Sequence, residues 1–411
     1  MLHNRIDAIL EANLETLQRE GRRKGAEAVI TEIIPATGAH GPRYLIASEG
    51  NKPFVRMNAN NYLGLSLHDA IRRAEHDGVG QFGAGPGAVR FISGTFEAHI
   101  ALEERLAAFH GREAAMVFSS AYGAMLGILP QIVTGESAAV SDALNHNCII
   151  NGLRLARPRA REVYPHLDLE ALDDRLGAAA SACRRAIVVT DGIFSMRGDH
   201  APLREIAAII ARHDKAFPEN VLLVVDDSHG VGAFGATGRG TEEVEGVRAD
   251  ILVGTLGKAF GVNGGYIVAS AAIIDYLRET APTYVYSNPI APGEAAAATA
   301  ALNLVDSPAG RALLDHLRQM AARFRDGLIR LGFETIAGAH PIVPLLVRDA
   351  ARTSALVKHL RARGVLATGL NYPVVPKGDE EIRFQMSADH THADIDETLA
   401  TLGEFRKGSM T

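Results

Sequence analysis

The chain has 411 residues, of which 22% are charged and 47% are hydrophobic, and its 42 basic and 48 acidic side chains give a formal net charge of −6. This composition predicts a soluble globular protein that is large enough for two domains. The acidic balance argues against a nucleic-acid partner, although a local cluster of arginines and backbone amides could still bind an anionic substrate.

The first segment predicts a helix with an apolar face, formed by Leu2, Ile6, Ile9, Leu10, Leu14 and Leu17. Acidic residues interrupt this pattern, so it is not typical of a signal peptide, and they also argue against a helix that lies on a membrane surface. We therefore predict that residues 1–56 form an N-terminal helical arm that docks onto another part of the protein.

The sequence also carries information about the cellular compartment. Its two cysteines, Cys148 and Cys183, are too few for a disulfide framework and lack metal-type spacing. No apolar run approaches the length of a transmembrane helix. We expect a protein of the reducing cytoplasm without an integral membrane segment.

Between residues 57 and 292, short apolar runs alternate with helical stretches. A helix is predicted over 201–217, and the apolar runs predict strands at 115–118, 186–190, 221–225 and 251–253. This alternation is typical of an α/β domain whose mostly parallel central sheet is covered by helices on both faces. We predict one large domain over these residues.

The pattern changes after about residue 293. A long helix is predicted over 311–331, and shorter strands follow around 342–347 and 381–386. The alanine-rich stretch 295–301 predicts the start of a long helix that joins two domains. We therefore predict a smaller domain of α+β type over residues 293–411.

Residues 82–90 loosely match the glycine-rich fingerprint of dinucleotide-binding folds. That fingerprint must follow a hydrophobic strand, whereas here it follows the charged stretch 72–77, which is typical of a helix. We therefore reject a nicotinamide site. A flexible loop over 83–87, near a ligand or a subunit interface, is the better interpretation.

The stretch 254–261 is the most informative about chemistry, because Lys258 lies there among glycines, directly after the predicted strand 251–253. Enzymes use crowded lysines for Schiff bases since burial lowers the lysine pKa. Small neighbours also let a planar ring approach the backbone. From this local sequence alone, an exposed loop cation is an equally good explanation of Lys258.

Asp226 changes that balance, since it follows the predicted strand 221–225 at the edge of the sheet where open α/β proteins bind ligands. A carboxylate at that place can keep a heterocyclic nitrogen protonated. Pyridoxal phosphate requires this combination of a lysine and an acid. The pair of Lys258 and Asp226 therefore indicates carbanion formation at an amino acid.

With these residues in place, the chain resembles the α-oxoamine synthases, enzymes of pyridoxal-phosphate fold type I that condense an amino acid with an acyl-CoA thioester. The resemblance extends from residue 58 to 394 and rests on motifs at 60–65, 89–95, 141–146, 226–229, 284–288 and 382–391. These motifs are most similar to the glycine C-acetyltransferase branch. The resemblance therefore implies that glycine, or another small amino acid, reacts with an acyl-CoA such as acetyl-CoA and that CoA is released.

Two departures keep alternatives open. The loop with Gly85-Pro86-Gly87 is more similar to aminolevulinate synthase or serine palmitoyltransferase, and Arg197 stands where an acid is usual. One alternative is a longer acyl thioester, or serine or alanine with decarboxylation, as in those two enzymes or in 8-amino-7-oxononanoate synthase. Others are a pyridoxal-phosphate aminotransferase, an aldolase-type lyase, and a noncatalytic scaffold.

The resemblance implies roles for the residues around the cofactor ring. Lys258 forms the covalent link to the cofactor and moves the Cα proton, while Asp226 pairs with the pyridine nitrogen. His229 and Ser195 lie near the phenolic oxygen. His146 stacks on the ring.

The resemblance also implies how the phosphate is held. Ala121 and Tyr122 begin a helix whose free amides suit a phosphate, and Thr255 adds a hydroxyl. Ser287 and Asn288 correspond to positions that reach across from a second subunit. A homodimer with a shared active site follows from that correspondence.

At the substrate end, Arg383 corresponds to the arginine that binds the substrate carboxylate, and Asn60 assists. The alternative for Arg383 is a surface cation on an exposed strand. His390 and His392 lack a third ligand at fixed spacing, so we predict no metal site and expect both to be solvated loop histidines.

Overall fold

The computed structural model describes residues 4–20, 22–23, 27–372 and 374–408. Leu2 of the predicted N-terminal helix lies outside these residues. The strands are β1 (Ile30–Ile34), β2 (Arg43–Ile46), β3 (Val55–Arg56), β4 (Ala114–Phe118), β5 (Ser137–Asp142), β6 (Ala160–Tyr164), β7 (Arg185–Asp191), β8 (Val221–Asp226), β9 (Ile251–Thr255), β10 (Gly265–Ala269), β11 (Glu334–Thr335), β12 (Ile342–Leu346), β13 (Val365–Leu366), β14 (Thr368–Leu370) and β15 (Glu381–Gln385).

Helices connect these strands along the chain. They are α1 (Asn4–Arg19), α2 (Asp69–Phe82), α3 (Glu97–His110), α4 (Ala121–Ile132), α5 (Asn147–Ala156), α6 (Leu169–Ala179), α7 (Leu203–His213), α8 (Thr241–Glu245), α9 (Ala271–Thr280), α10 (Pro282–Val285), α11 (Pro292–Val305), α12 (Pro308–Arg330), α13 (Ala350–Ala362) and α14 (His392–Gly408). None of the helices in the described part of the chain combines the length and the apolar character needed to cross a membrane.

A seven-stranded sheet in the order β4-β10-β9-β8-β7-β5-β6 forms the centre of the molecule. The five strands from β9 to β6 in this order are parallel to one another, and only β10 runs antiparallel to its neighbours β4 and β9. Their apolar β-branched runs suit a sheet that is buried on both sides. The predicted α/β fold with a mostly parallel sheet is therefore confirmed.

Each face of this sheet has its own hydrophobic core. Val188 of β7 packs in one cluster together with side chains of α3, α6, α7, α11 and α12, whereas Ile187 and Val189 pack in the other with side chains of α4, α5 and α9. Successive side chains of a strand point to opposite faces, so one continuous apolar run supplies both cores. Helices thus cover the sheet on both faces, as the sequence predicts.

Two predicted helices differ from the structure. The helix predicted over 201–217 ends at His213 and continues only as a short 3-10 turn over Asp214–Ala216. The long helix expected from 295–301 is interrupted after Val305, because Ser307 caps a new helix with Pro308 at its first position. Cap and proline together outweigh the helix propensity of the alanines.

The predicted arm contains more than a helix. After α1, none of whose side chains is buried, the hairpin β1–β2 follows, and β3 pairs in parallel with β13. The carboxylate of Asp394 in α14 accepts hydrogen bonds from Gly41 N at 3.0 Å and from Arg43 Nη2 at 2.7 Å. The later part of the segment 1–56 therefore packs against the C-terminal region. That region has its own four-stranded sheet, in the order β11-β12-β15-β14. The proposed domain boundaries stay predictions.

A buried ion-pair cluster next to β4 leads to a stability prediction. Glu103 accepts hydrogen bonds from Arg90 (both Nη groups, 3.2 Å), from Arg278 Nη2 (2.9 Å) and from Val117 N (3.0 Å). We expect Glu103→Gln to lower the free energy of unfolding by about 3–5 kcal/mol, since it leaves partly buried guanidinium charges without a counter-ion. Denaturant titration measures this, with Glu104→Gln on the exposed side of α3 as the control; equal midpoints for the two variants would contradict the prediction.

Candidate active site

A cavity of about 230 Å³ lies where several strands of the large sheet end. Strands β7, β8 and β9 bring their carboxyl ends to its wall, and the start of α4 closes another side, as expected for ligand sites in open α/β sheets. Eight of the residues that the sequence singles out line it: Ala121, Tyr122, His146, Ser195, Asp226, His229, Thr255 and Lys258. The structure therefore brings most of the predicted site together.

The start of α4 offers backbone donors to this cavity. Ser120 caps the helix by accepting a hydrogen bond from Gly123 N at 3.0 Å, while the N–H groups of Ala121 and Tyr122 belong to the first turn, where no carbonyl of the helix can accept them. A Cβ at Gly265 of β10 would clash with Ala121 N, so glycine is what lets the helix start lie so close to the sheet. Thr255 lines the same corner, and its hydroxyl, which here donates to Gly264 O at 3.1 Å, can turn its one proton toward a ligand. This corner suits a phosphate group.

Lys258 is half-buried in the cavity wall, just after β9. Desolvation lowers its pKa to about 8, although the carboxylates of Asp226 and Asp191 oppose that shift. Near neutral pH an appreciable fraction of the amine is then uncharged. An uncharged amine is what both imine formation and proton abstraction require.

Asp226 is held in place by three donors. Its Oδ1 accepts hydrogen bonds from Ser228 N at 3.1 Å and from Ser228 Oγ at 2.5 Å, and its Oδ2 accepts one from Cys148 Sγ at 3.3 Å. The carboxylate thus faces the cavity in a fixed orientation, from which it can pair with a protonated ring nitrogen.

A second acid, Asp191, lies beside Asp226 because the two residues are register partners at the ends of β7 and β8. Burial, together with the negative charge of Asp226, raises the pKa of Asp191 well above its usual range. Two adjacent buried carboxyl groups cannot both ionise cheaply. The environment of Asp191 therefore favours its neutral form, and its Oδ2 accepts a hydrogen bond from His146 N at 3.0 Å.

Two histidines face the cavity and differ in their exposure. His229 is buried, and burial together with the neighbouring Lys258 cation holds its pKa well below the usual range, so its imidazole is neutral. Its Nδ1 lies 2.7 Å from the hydroxyl of Tyr62. His146 is exposed to the cavity at the start of α5, with Nδ1 lying 2.9 Å from Cys148 Sγ, and its ring is free to stack on a ligand.

Four predicted residues lie outside this cavity. Arg383 on β15 is half-buried and donates to Ser195 O at 2.8 Å, so it is not a cation on an exposed strand. Asn60 is half-buried, 3.4 Å from Tyr62 through its Oδ1. Ser287 and Asn288 follow α10 on the surface, where Asn288 is exposed. The family resemblance implies that these last two reach across to the active site of a second subunit.

Sequence reasoning missed several residues of the site. Asp191 follows a predicted strand just as Asp226 does, so the same signal, an acid at the carboxyl end of a strand, could have found it. Cys148 carries no such signal, since only the fold brings it to Asp226. The donor atoms of His146, Cys148 and Asp226 lie within 4.8 Å of one another, but they already bond to each other, and we assign them to the organic ligand rather than to a metal.

The expectation that His390 is a solvated loop histidine is wrong. His390 is buried, accepts a hydrogen bond from Ser387 N at 3.1 Å through Nδ1, and lies 3.2 Å from Arg56 O through Nε2. Burial lowers its pKa to about 4. This neutral ring links the segment before α14 to β3, so its role is structural.

Comparison with known proteins adds the family. A family model described as aminotransferase class I and II matches residues 52–402. The chain is 40% identical over 97% of its length to an 8-amino-7-oxononanoate synthase of Geobacter sulfurreducens, covering 98% of that protein, and 42% identical over 92% to that of Geobacter metallireducens, covering 97%. The chain belongs to the α-oxoamine synthase family. Like its relatives, this α-oxoamine synthase is a pyridoxal-phosphate-dependent C-acyltransferase.

Solved structures agree with this assignment. Serine palmitoyltransferase of Sphingomonas wittichii superimposes with a TM-score of 0.88 at 27% identity, covering 100% of this chain and 99% of the other. A second serine palmitoyltransferase structure, with pyridoxal phosphate as internal aldimine, gives a TM-score of 0.86 at 26% identity, covering 99% of each chain. Fold type I is therefore shown.

The residues present fit pyridoxal phosphate. The start of α4 and Thr255 form an anion corner, Lys258 supplies an amine of lowered pKa, and the oriented carboxylate of Asp226 lies in the same cavity. These are the three groups that a phosphate, an aldehyde and a ring nitrogen need. We therefore infer that they hold the cofactor in this chain.

Proposed function

We propose that this enzyme condenses alanine with a seven-carbon dicarboxylic acyl thioester, giving 8-amino-7-oxononanoate, carbon dioxide and a free thiol. The observation that carries the proposal is the 40% identity over nearly the whole chain to 8-amino-7-oxononanoate synthases, together with a cavity in which Lys258 and Asp226 lie as the reaction needs. Breaking the bond between C7 and C8 of the product leaves a seven-carbon acyl group with a terminal carboxylate, and a fragment that matches alanine without its carboxylate.

This proposal favours an alternative over the first expectation from the sequence. Glycine with acetyl-CoA was the main interpretation, but the relatives reported above support the branch that uses a longer acyl group with decarboxylation. An aminotransferase or a lyase would use the same lysine and acid, because both need the same electron sink. Only the acyl transfer releases a thiol, so that product separates the classes.

The residues of the chain have distinct tasks in this reaction. When bound, pyridoxal phosphate supplies an electron sink for the electrons left on the amino-acid Cα. The amine of Lys258, with its pKa of about 8, takes the Cα proton. Asp226 accepts a hydrogen bond from the ring nitrogen, and Asp191 beside it is an acid whose burial favours the neutral form. Arg383, with its planar fork, binds the carboxylate of the amino acid.

We also propose a cytoplasmic homodimer with a shared active site. Ser287 and Asn288 lie away from the cavity of their own chain, which fits their assignment to a partner. Three large hydrophobic side chains are strongly exposed in the single chain: Tyr286 at 79%, Phe91 at 66% and Ile92 at 65%. A second subunit would cover such side chains. Both cysteines are buried free thiols, which fits a reducing compartment.

A thiol-release assay tests the proposed function. The cofactor-loaded enzyme is mixed with alanine and heptanedioyl-CoA, and free CoA is followed with a thiol reagent while the amino ketone is identified by mass. We expect turnover with this pair and much slower turnover with glycine and acetyl-CoA. No CoA release from any pair of amino acid and acyl-CoA would overturn acyl transfer and favour a lyase.

A further inference from the structure

A second cavity, of about 520 Å³, lies between the large sheet and the C-terminal sheet. Its walls come from the loop before α5, from the loop after β7, and from β11, β12 and the segment before β15. Its lining includes Leu144, Ile150, Phe194, Met196, Ile336 and Leu346. These side chains give it apolar walls, which suit a chain of methylene groups.

This cavity shares its walls with the catalytic one. Ser195 lines the catalytic cavity while its neighbours Phe194 and Met196 line the second. In the same way, His146 and Cys148 face the catalytic cavity, whereas Asn145 lies on the second. A substrate that reacts at Lys258 therefore has an apolar compartment immediately beside the reaction centre.

Two polar groups in the apolar compartment lack a full set of partners. Arg197 donates through Nε to Asp199 Oδ2 at 2.8 Å, but its two Nη groups have no acceptor among the described residues. Glu381 is only 3% exposed, and its Oε1 has no hydrogen-bond partner in the described part of the chain. Such an unpaired buried oxygen is costly unless a ligand satisfies it.

Arg197 pairs with Asp199 through Nε alone, which leaves both of its Nη groups for a ligand. Arg348, the other arginine of the lining, is already paired with Glu334 at 2.5 Å and with Asp379 at 3.2 Å. Burial raises the pKa of Glu381 to about 8. Near neutral pH this carboxyl group therefore keeps its proton and can donate a hydrogen bond to an anion instead of repelling it.

We propose that Arg197 determines the acyl specificity of this enzyme by binding the distal carboxylate of a dicarboxylic acyl group, whose methylene chain fills the second cavity and whose carboxylate also accepts a hydrogen bond from Glu381. The inference rests on the proposed function for the nature of the acyl group. It also explains why a cation occupies position 197, where the family resemblance leads one to expect an acid.

The test compares two thioesters that differ only at the distal end, heptanedioyl-CoA and heptanoyl-CoA, with alanine and cofactor-loaded enzyme. The quantity compared is kcat/KM for heptanedioyl-CoA divided by kcat/KM for heptanoyl-CoA. In Arg197→Gln we expect this ratio to fall by about 10- to 100-fold, because the variant loses a charge-assisted hydrogen bond to the distal carboxylate. Most of the change should appear in KM for the dicarboxylic substrate. Arg197→Lys keeps the charge but lacks the planar fork, so its substrate ratio should lie between those of the unmodified enzyme and of Arg197→Gln.

Arg323→Gln serves as the matched control, since Arg323 on α12 is an exposed arginine in a pair with Asp396 and lies on neither cavity. Its substrate ratio should equal that of the unmodified enzyme. Far-UV circular dichroism checks that all variants fold. An unchanged ratio in both Arg197→Gln and Arg197→Lys would overturn the inference while leaving the proposed function intact.

Calorimetry separates the two claims if no thioester reacts. Free heptanedioate and heptanoate are titrated into the cofactor-loaded enzyme and into Arg197→Gln. The inference requires that heptanedioate binds the unmodified enzyme more tightly and that the substitution removes the difference. Equal binding of the two acids by the unmodified enzyme would overturn the inference about Arg197, whatever the thiol assay shows.

Discussion

Lys258→Ala should abolish thiol release, lowering kcat by about 10³-fold or more, because the variant lacks both the amine that binds the cofactor aldehyde and the base that takes the Cα proton. Lys258 lines the cavity, and desolvation lowers its pKa to about 8, so its amine is suited to both tasks. Steady-state kinetics with alanine and heptanedioyl-CoA measures the loss.

Chemical trapping gives an independent readout for the same residue. Borohydride reduction of the cofactor-loaded enzyme, followed by proteolysis and mass spectrometry, should place the cofactor on the peptide that contains Lys258. Lys52→Ala provides the control, since the ammonium of Lys52 donates to backbone carbonyls of Arg361 and Ala362 and not to the cavity. Label on a different lysine, or full turnover in Lys258→Ala, would refute the assignment.

The second large effect concerns the pair of adjacent acids. Asp226→Asn removes the charge that keeps the ring nitrogen protonated, so kcat should fall by about 10²–10³-fold, which is typical when one preorganised electrostatic group is lost. Asp191→Asn puts a neutral group of the same shape in place of an acid whose pKa burial raises well above the usual range. We therefore expect Asp191→Asn to retain most of the activity.

The two variants are matched, since they make the same chemical change at register partners on neighbouring strands. Cofactor affinity, measured by the visible absorbance during titration with pyridoxal phosphate, should weaken in Asp226→Asn and change little in Asp191→Asn. If the two variants lose activity equally, the assignment of the charge to Asp226 alone is wrong.

Much of the fold and the site could be predicted from sequence because the information is local. The run 221–225 followed by Asp226, and the glycines around Lys258, place chemistry at strand ends through simple rules of α/β sheets. The boundaries of the predicted strand 381–386 differ from β15 by a single residue. Local propensity also explains the failure near residue 305, where the cap at Ser307 interrupts a helix that the alanines alone would continue.

Other parts of the site depend on contacts that no local pattern records. Cys148 meets Asp226 across 78 positions of sequence, and the second cavity is lined by segments from both the middle and the end of the chain. The residues next to His390 in sequence predict a solvated loop, because the contact with Arg56 of β3 that buries it comes from a distant part of the chain. The sequence shows Arg197 only as a departure from the family pattern, because the unused donors of Arg197 and the unpaired oxygen of Glu381 are visible only in the fold.

The pairing of β3 with β13 constrains how this polypeptide can be assembled. Val55 and Val365 are register partners, and the ammonium of Lys52 reaches carbonyls 309 and 310 positions further along. During synthesis β3 can pair with β13 only after the long stretch between them has been made, and closure over such a distance is slow. The parallel pair of β3 and β13 can therefore form only after all the strands of the central sheet have been synthesised.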